Sequence, residues 1–266
     1  MTFNHTERAL NALELLSEAP AGLSLASVAV GLRMPKSGAH RLMAELVRMG
    51  YAGQDETGRY HLTARLVSVA FRHLAALGTV DAAQPILDQL AAMSGELVRL
   101  SVTDGTRQVW VAKAQGARIG LIYDPQMGDA AHLASMATGI AWLSTLDEVT
   151  ALRLVTQQGL TAPDLGPNAP STIPDVLARI EEARSRGYAT AMDSSAPGMS
   201  AIAAAIRHPA TGETIGTVSI GGPSTRLVPG RLAELAPALL EAARHLSDRV
   251  AGSSHFSTPI RALRAG

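Results

Sequence analysis

In the segment after Pro35, apolar residues recur as Ala39, Leu42, Met43, Leu46 and Met49, the spacing of a helix that buries one face. Lys36, Ser37, Gly38, Arg41 and Arg48 fall elsewhere on that helix, so its outer side is small and cationic. Upstream, Ser24 is placed to cap a short helix ending at Gly31, a residue suited to the left-handed position past a helix end. Leu32 to Met34 then make a tight turn, and Pro35 opens the second helix, where its missing N–H costs little. Farther back, Leu10, Leu13 and Leu16 give Thr6 to Glu18 an apolar side. After Gly50, two short strands, Tyr51 to Gln54 and Arg59 to Leu62, flank the turn Asp55-Glu56-Thr57-Gly58. Three helices and a hairpin predict a winged helix-turn-helix. A helical bundle carrying a surface hairpin is the competing arrangement.

Beyond the hairpin, Thr63 can cap a helix whose stripe is Val67, Phe71, Leu74 and Leu77, with Gly78 as its stop. It is either a linker helix or a dimer contact. Asp81 to Met93 is amphipathic through Ile86, Leu87, Leu90 and Met93, with Pro85 in its first turn. The period then changes to two. Val98, Leu100 and Val102 alternate with Arg99 and Ser101, as in a half-buried strand, and Asp104-Gly105 turns into a second strand from Gln108 to Lys113. Further strands are expected at Arg118 to Tyr123, Ala201 to Arg207 and Thr214 to Ile220, the last two joined around Pro209 to Gly212. Helices are expected at Gly139 to Leu143, Asp147 to Thr156, Pro174 to Arg186 and Pro229 to Val250, with a kink or break at Pro237. Thr156 to Thr172, rich in Gly and Pro, reads as a surface loop. The class is α+β. The divisions are a DNA-reading domain at 1–62, a linker helix at 63–79, an α/β domain at 80–252 and a tail at 253–266.

The 47% hydrophobic content supports packed cores, but only 3% of residues are aromatic, so Ala, Leu and Val must fill them. With no cysteine, disulfides and thiolate metal sites are excluded. The start lacks an apolar signal core, and the long uncharged run from Ala130 to Leu146 is too polar for a membrane span, so the expectation is a cytoplasmic protein. Net charge is zero, yet from Arg33 to Arg48 the cations Arg33, Lys36, Arg41 and Arg48 stand against the single anion Glu45. A local patch of this size suits a module that contacts a few phosphates and needs a second copy for affinity. Nucleophile elbows, phosphate loops and dinucleotide fingerprints are missing, and none of the eight histidines pairs at helical ligand spacing. No cofactor is expected. Asp193 lies in a loop of small residues, where it is a solvated carboxylate or a ligand contact in preference to a catalytic acid.

The stretches GLSLASVAVGLRMPKSGAHRL, GY and TGRYHL, followed by SMATGIAWL, RGYA, AIAAAI and VSIGGP, are quite specific in their order and spacing. They resemble the IclR-type family of bacterial transcriptional regulators over roughly Thr6 to Val250. The resemblance implies a GAF-like effector-binding domain behind the winged domain. It implies a homodimer or dimer of dimers on double-stranded operator DNA, most simply as a repressor, and control by a small-molecule effector. The DNA-binding candidates are Ser24, Lys36, Ser37, Gly38, His40 and Arg41, with Arg59 on the wing. The effector-binding candidates carried over are Met127, Met136, Thr138, Gly139, Asp193, Ala201, Ser219 and Gly221. Core packing is the competing use of Met127, Met136 and Ala201. The helix start near Gly139 offers N–H groups to an anion, and Ser219, a hydroxyl on an apolar strand, needs a partner. This mixture suits a small organic acid or aromatic compound. Two departures stand out: Gly38 where the family usually has threonine, and Gly139-Ile140 where many members have Gly-Lys. The alternative function is a metabolic enzyme or sensor whose winged domain mediates protein contacts.

Overall fold

The computed structural model describes residues 4–77, 79–103, 105–124 and 130–250. It divides into two compact units, Met1–Ala76 and Leu77–Gly266. The side chains of Phe71, Leu74 and Leu77, together with Gly78, Asp104, Met127 and the 253–266 tail, lie outside the described residues.

The first unit holds α1 (His5–Ser17), α2 (Leu25–Gly31), α3 (Lys36–Arg48), β1 (Ala52–Gln54), β2 (Tyr60–Leu62) and α4 (Ala64–Leu77). Asn4 and Glu7 form a capping box at the start of α1. The buried side of α1 is Ala12 and Leu16, with Ala9 and Leu13 packed against them, while Leu10 is exposed. A spacing of three drifts around the helix, so Leu10, Leu13 and Leu16 cannot share one face. Ser24 caps α2 as expected, accepting from Ser27 N at 3.1 Å. Gly31, however, is the last helical residue, and the left-handed residue of the turn is Arg33 at φ 49°. Gly31 instead permits close approach, since a Cβ there would lie 2.6 Å from Leu15 Cδ2. Pro35 is the extended N-cap of α3 and not its first residue. Ala39, Leu42, Met43 and Leu46 form the buried stripe, and Met49, already the C-cap, is exposed.

The wing pairs Ala52 with Leu62 and Gln54 with Tyr60, and Tyr60 also bridges to Leu23 ahead of α2. Asp55 organises its turn. One carboxylate oxygen accepts from Thr57 N (2.9 Å), Thr57 Oγ1 (2.7 Å) and Arg59 N (2.9 Å), and the other meets His61 Nε2 at 2.7 Å. Thr63 caps α4, accepting from Arg65 N at 3.2 Å.

The second unit contains α5 (Thr79–Ser94), β3 (Leu97–Thr103), β4 (Gln108–Gln115), α6 (Ala137–Leu143), α7 (Glu148–Gln158), α8 (Ile173–Arg186), β5 (Ala189–Met192), β6 (Met199–Arg207), β7 (Thr214–Pro223) and α9 (Pro229–Val250). All strand pairs are antiparallel in a sheet ordered β4-β3-β7-β6-β5. Val98, Leu100, Ala112, Ile202, Ala204, Val218 and Ile220 face α5 and α9, packing on Leu87, Leu90, Leu235 and Leu239. On the opposite face, Ala189, Ala191 and Ala203 receive Ile140, Leu143 and Ile180 from α6 and α8. Because both faces are covered, β3 is buried along most of its length, Arg99 and Ser101 included, and is not the half-buried strand its alternation suggests.

Three other expectations change. Arg118 to Tyr123 is a loop, not a strand: Gly120 takes φ 78°, and Arg226 Nη2 and Gln115 Nε2 hold the carbonyls of Leu121 and Tyr123, each at 3.0 Å. The fifth strand is β5, whose four residues are too few to show alternation. Pro85 lies in the second turn of a longer α5, and α9 runs through Pro237 without a break; both prolines are exposed, where the missing N–H is tolerated best. The 156–172 region is shorter than expected as a loop because α7 reaches Gln158. It is also fastened down: Gly166 N donates to Ser194 O (3.0 Å), and Asn168 N to Asp193 O (2.9 Å).

Gly139 is the third residue of α6 and not its open end. It is wholly packed, for a Cβ there would sit 2.4 Å from both Leu133 Cα and Leu133 O.

Two predictions follow from these contacts. Hydrogen bonding, first from His61 and then from Thr57 and Arg59, holds the Asp55 carboxyl well below the usual carboxylate range. A carboxylate depressed on folding contributes stability above its unfolded pKa, and that contribution is lost as pH falls through the folded value. The melting-temperature gap between wild type and Asp55→Asn is therefore expected to shrink as the pH drops below about 4; a constant gap refutes this role. Gly139→Ala should destabilise the second unit by about 1–3 kcal/mol, the usual cost of overpacking. Gly230→Ala, with open space at its Cβ position, serves as the neutral control in the same thermal melts.

Candidate nucleic-acid interface and effector face

The stripe beneath α3 fixes which side of it faces outwards. Lys36, Ser37, His40, Arg41 and Arg48 are exposed together, and Gly38 is half-buried, its missing Cβ 3.0 Å from Met34 Cε. Glu45, the helix's one acid, meets His5 Nε2 of α1 at 2.9 Å, an exposed contact that weakens its opposition to an approaching polyanion when His5 is protonated. Ser24 is occupied as a cap, sharing a 2.9 Å hydrogen bond with Ser27 Oγ. Arg59 is exposed on the wing and tied to the rest of the first unit. Its Nε donates to Ala21 O (3.1 Å) and Gly22 O (3.2 Å), and its Nη2 to Gly22 O (2.9 Å), so it clamps the wing to the loop before α2.

In the second unit, the sheet face away from α5 and α9 changes character along its width. On β5 and β6 it is alanine. On β3, β4 and β7 it is polar. Ser101 Oγ and Thr217 Oγ1 are 2.8 Å apart, and Gln108 Nε2 donates to Thr217 Oγ1 at 3.0 Å. Arg99 lies over the Trp110 ring, 3.8 Å from its centroid, with the Tyr123 ring 5.8 Å away. Ser219 pairs with Arg99 across the β3–β7 ladder, and its hydroxyl is 3.5 Å from the Arg99 carbonyl.

Among the expected effector residues, Ala201, Ser219 and Gly221 share this face: Ala201 pairs with Gly221, and Ala203 with Ser219. Tyr123 closes over Gly221, its Cε1 3.7 Å from where a Cβ would stand. Met136 is the N-cap of α6, without a side-chain cap bond, and Thr138 is buried in the helix that packs on β5 to β7. Gly139, in the first turn of α6, packs against Leu133. Asp193 takes φ 49°, and its Oδ1 accepts from Gly198 N (2.7 Å) and Ser224 Oγ (3.1 Å), which shapes the β5–β6 turn. Arg179 of α8 braces this region through Ser194 Oγ (3.0 Å) and the Asn168 carbonyl, and burial pulls its pKa below the ordinary arginine value. Just ahead of α6, burial also lowers the pKa of His132, whose Nδ1 is 2.8 Å from Ser135 Oγ. Arg99 and Trp110 were not among the candidates. Alternation assigned Arg99 to a solvent side, and only the covering of both sheet faces reverses that.

Residues 6–56 match the IclR helix-turn-helix domain, and residues 71–248 match the bacterial transcriptional regulator IclR C-terminal family. The chain is 32% identical over 248 residues to the HTH-type transcriptional regulator BhcR of Paracoccus denitrificans, covering 91% of this chain and 85% of that one. It is 25% identical over 250 residues to the HTH-type transcriptional repressor AllR of Escherichia coli K12, covering 94% and 91%. Among solved structures, an IclR homolog from Microbacterium hydrocarbonoxydans complexed with 4-hydroxybenzoate superposes with a TM-score of 0.79 at 19% identity, covering 94% of this chain and all of the other (100%). No helix among the described residues is long and apolar enough to cross a membrane. A winged domain with a cationic recognition helix and a polar-faced sheet domain thus meet in one chain, which belongs to the IclR family of bacterial transcriptional regulators and is a regulator, not an enzyme.

Proposed function

We propose that this regulator is a cytoplasmic repressor of a catabolic or metabolic operon, binding its operator as a homodimer or a dimer of dimers. The observation that carries the reading is the outward face of α3, where Lys36, Ser37, His40 and Arg41 stand exposed above a fully buried stripe. Lys36 and Arg41 take phosphate or base contacts, and Ser37, Gly38 and His40 let the helix sit deep in the groove. Ser24 and Arg59 act indirectly, by capping α2 and clamping the wing. One helix of this size makes too few contacts for tight binding, so two half-sites are read together. The repressor names of the AllR relatives support the sign of regulation.

DNA affinity is set by a small organic acid or aromatic compound held against the polar sheet face of the second unit. Met136, Thr138, Asp193, Ala201, Ser219 and Gly221 form the site with Met127, and Gly139 allows α6 to seat close to Leu133. The solved homolog with 4-hydroxybenzoate supports this class of ligand.

Arg41→Ala is expected to weaken operator binding by about 1–3 kcal/mol and to lower the salt slope by about one, with an unchanged melting curve. Fluorescence anisotropy across a salt series checks it; equal affinity at every salt concentration removes Arg41 from the interface. Sedimentation at micromolar concentration should give at least twice the 27.7 kDa chain mass, and a monomer alone refutes the assembly.

A further inference from the structure

The turn that joins α2 to α3 is built around a residue ill suited to it. Among the described residues, three other than glycine take a left-handed φ: Arg33, Asp164 and Asp193. Aspartate tolerates that region through its short polar side chain, as Asp193 does by accepting from Gly198 N, whereas a long aliphatic stem offers no such relief. The turn asks only for backbone groups: Arg33 N donates to Val30 O and Met34 N to Ala29 O, each at 3.0 Å. Glycine would serve both bonds without strain. The Arg33 side chain is exposed, and among the described residues its guanidinium has no partner. A side chain kept at a cost in backbone energy and unused by the fold points to a use outside it.

A second cation shares its setting. Arg33 lines a cleft of about 330 Å³ between α1 and the end of α2, together with Arg8, Asn11, Glu14, Leu15 and Glu18. Arg8 Nε is buried without a hydrogen-bond partner, and among the described residues neither guanidinium pairs with an acid. Two unpaired guanidinia in one cleft repel each other within a lone chain, but suit a phosphate, whose oxygens accept from both. Their placement agrees. Arg33 stands three positions before Lys36, the first residue of α3, and Arg8 stands one turn along α1 from His5, which meets Glu45 on the outward side of α3. Both cations therefore flank the recognition helix. Glu14 and Glu18 lie about two and three turns further along α1 than Arg8, so the cleft is no general sink for anions.

Resting on the reading of the first unit as a DNA-binding domain, we propose that Arg33, with Arg8 in the same cleft, grips a backbone phosphate of the duplex outside the groove entered by α3. Lys36 and Arg41 act from the helix itself, whereas this pair braces the domain from its α1 side. The contact is independent of sequence: it fixes the position of the helix and adds affinity without reading a base.

The test uses the full chain and a random-sequence duplex of about 40 base pairs, because a phosphate contact needs no operator. Fluorescence anisotropy across a salt series is paired with thermal melts. Arg33→Gly is expected to weaken binding severalfold and to lower the salt slope by about one, while the free protein melts at the same temperature or higher. Arg33→Lys, which keeps the charge, should keep the slope, and Arg8→Gln should repeat the loss. Arg153→Gln, at an exposed position of the second unit, controls for net charge. An unchanged slope in Arg33→Gly overturns the grip and leaves the DNA-binding reading intact, as does an equal fall in Arg153→Gln. A lower melting temperature with affinity retained gives Arg33 to the fold and overturns the grip too. A wild type that does not bind the duplex overturns both the grip and the reading on which it rests. If millimolar inorganic phosphate stabilises wild type but not Arg33→Gly, with duplex binding the same in both, the cleft holds a free anion and the DNA assignment fails. Should Arg8→Gln not fold, the Arg33 series decides alone.

Discussion

The pairing of β3 with β7 is the constraint on which the second unit depends. Ser101 and Thr217 are 116 residues apart in the chain, yet they exchange side-chain hydrogen bonds at the centre of the sheet. Side chains alternate along a strand, so this register sends Val98, Leu100, Val218 and Ile220 to α5 and α9, and Arg99, Ser101, Thr217 and Ser219 to the other side. A slip of one residue would put the guanidinium into the aliphatic layer and the isoleucine on the polar face. Gly216 guards the register: a Cβ there would sit 2.0 Å from Ser101 O. The same pairing that builds the core therefore assembles the polar face.

In the first unit the equivalent role falls to the tie between the wing and the loop before α2. Leu23 and Tyr60 exchange backbone hydrogen bonds at 3.0 and 2.8 Å, and Arg59 spans the same gap. This fixes the start of α2, and with it the turn that sets the pitch of α3. A chain with no net charge can then still present a cationic helix, because most of its acids lie elsewhere and Glu45, the one acid on that helix, is engaged by His5. Distribution outweighs the sum.

How much of this can be read in the residues follows from how local each cause is. Ser24, Thr63 and the turn at Asp55 to Gly58 act within a few positions, and the winged domain is legible from them. Gly31 was given the wrong reason because its contact, Leu15, lies on another helix. Arg118 to Tyr123 has the alternation of a strand, but alternation alone cannot supply a neighbouring strand, and Gly120 turns the chain aside. For the candidate effector face, the strands bearing Ala201, Ser219 and Gly221 were legible. The buried state of Arg99 was not, since it depends on helices and loops far along the chain covering both sides of β3. Asp193 and Gly139 are candidate effector contacts in the sequence. Their observed contacts, to Gly198 and Ser224 in one case and Leu133 in the other, are ones only the folded chain reveals.

The division of labour between the two sides of the sheet bears on how such a domain can diversify. Residues that hold the layers together point one way from β3 and β7, while the polar side chains point the other, one position along. An exchange at Ser219 thus leaves the aliphatic interface with α5 and α9 untouched. The polar face can drift by single substitutions on a scaffold that stays put. A lineage carrying this sheet can vary its polar face without rebuilding its core.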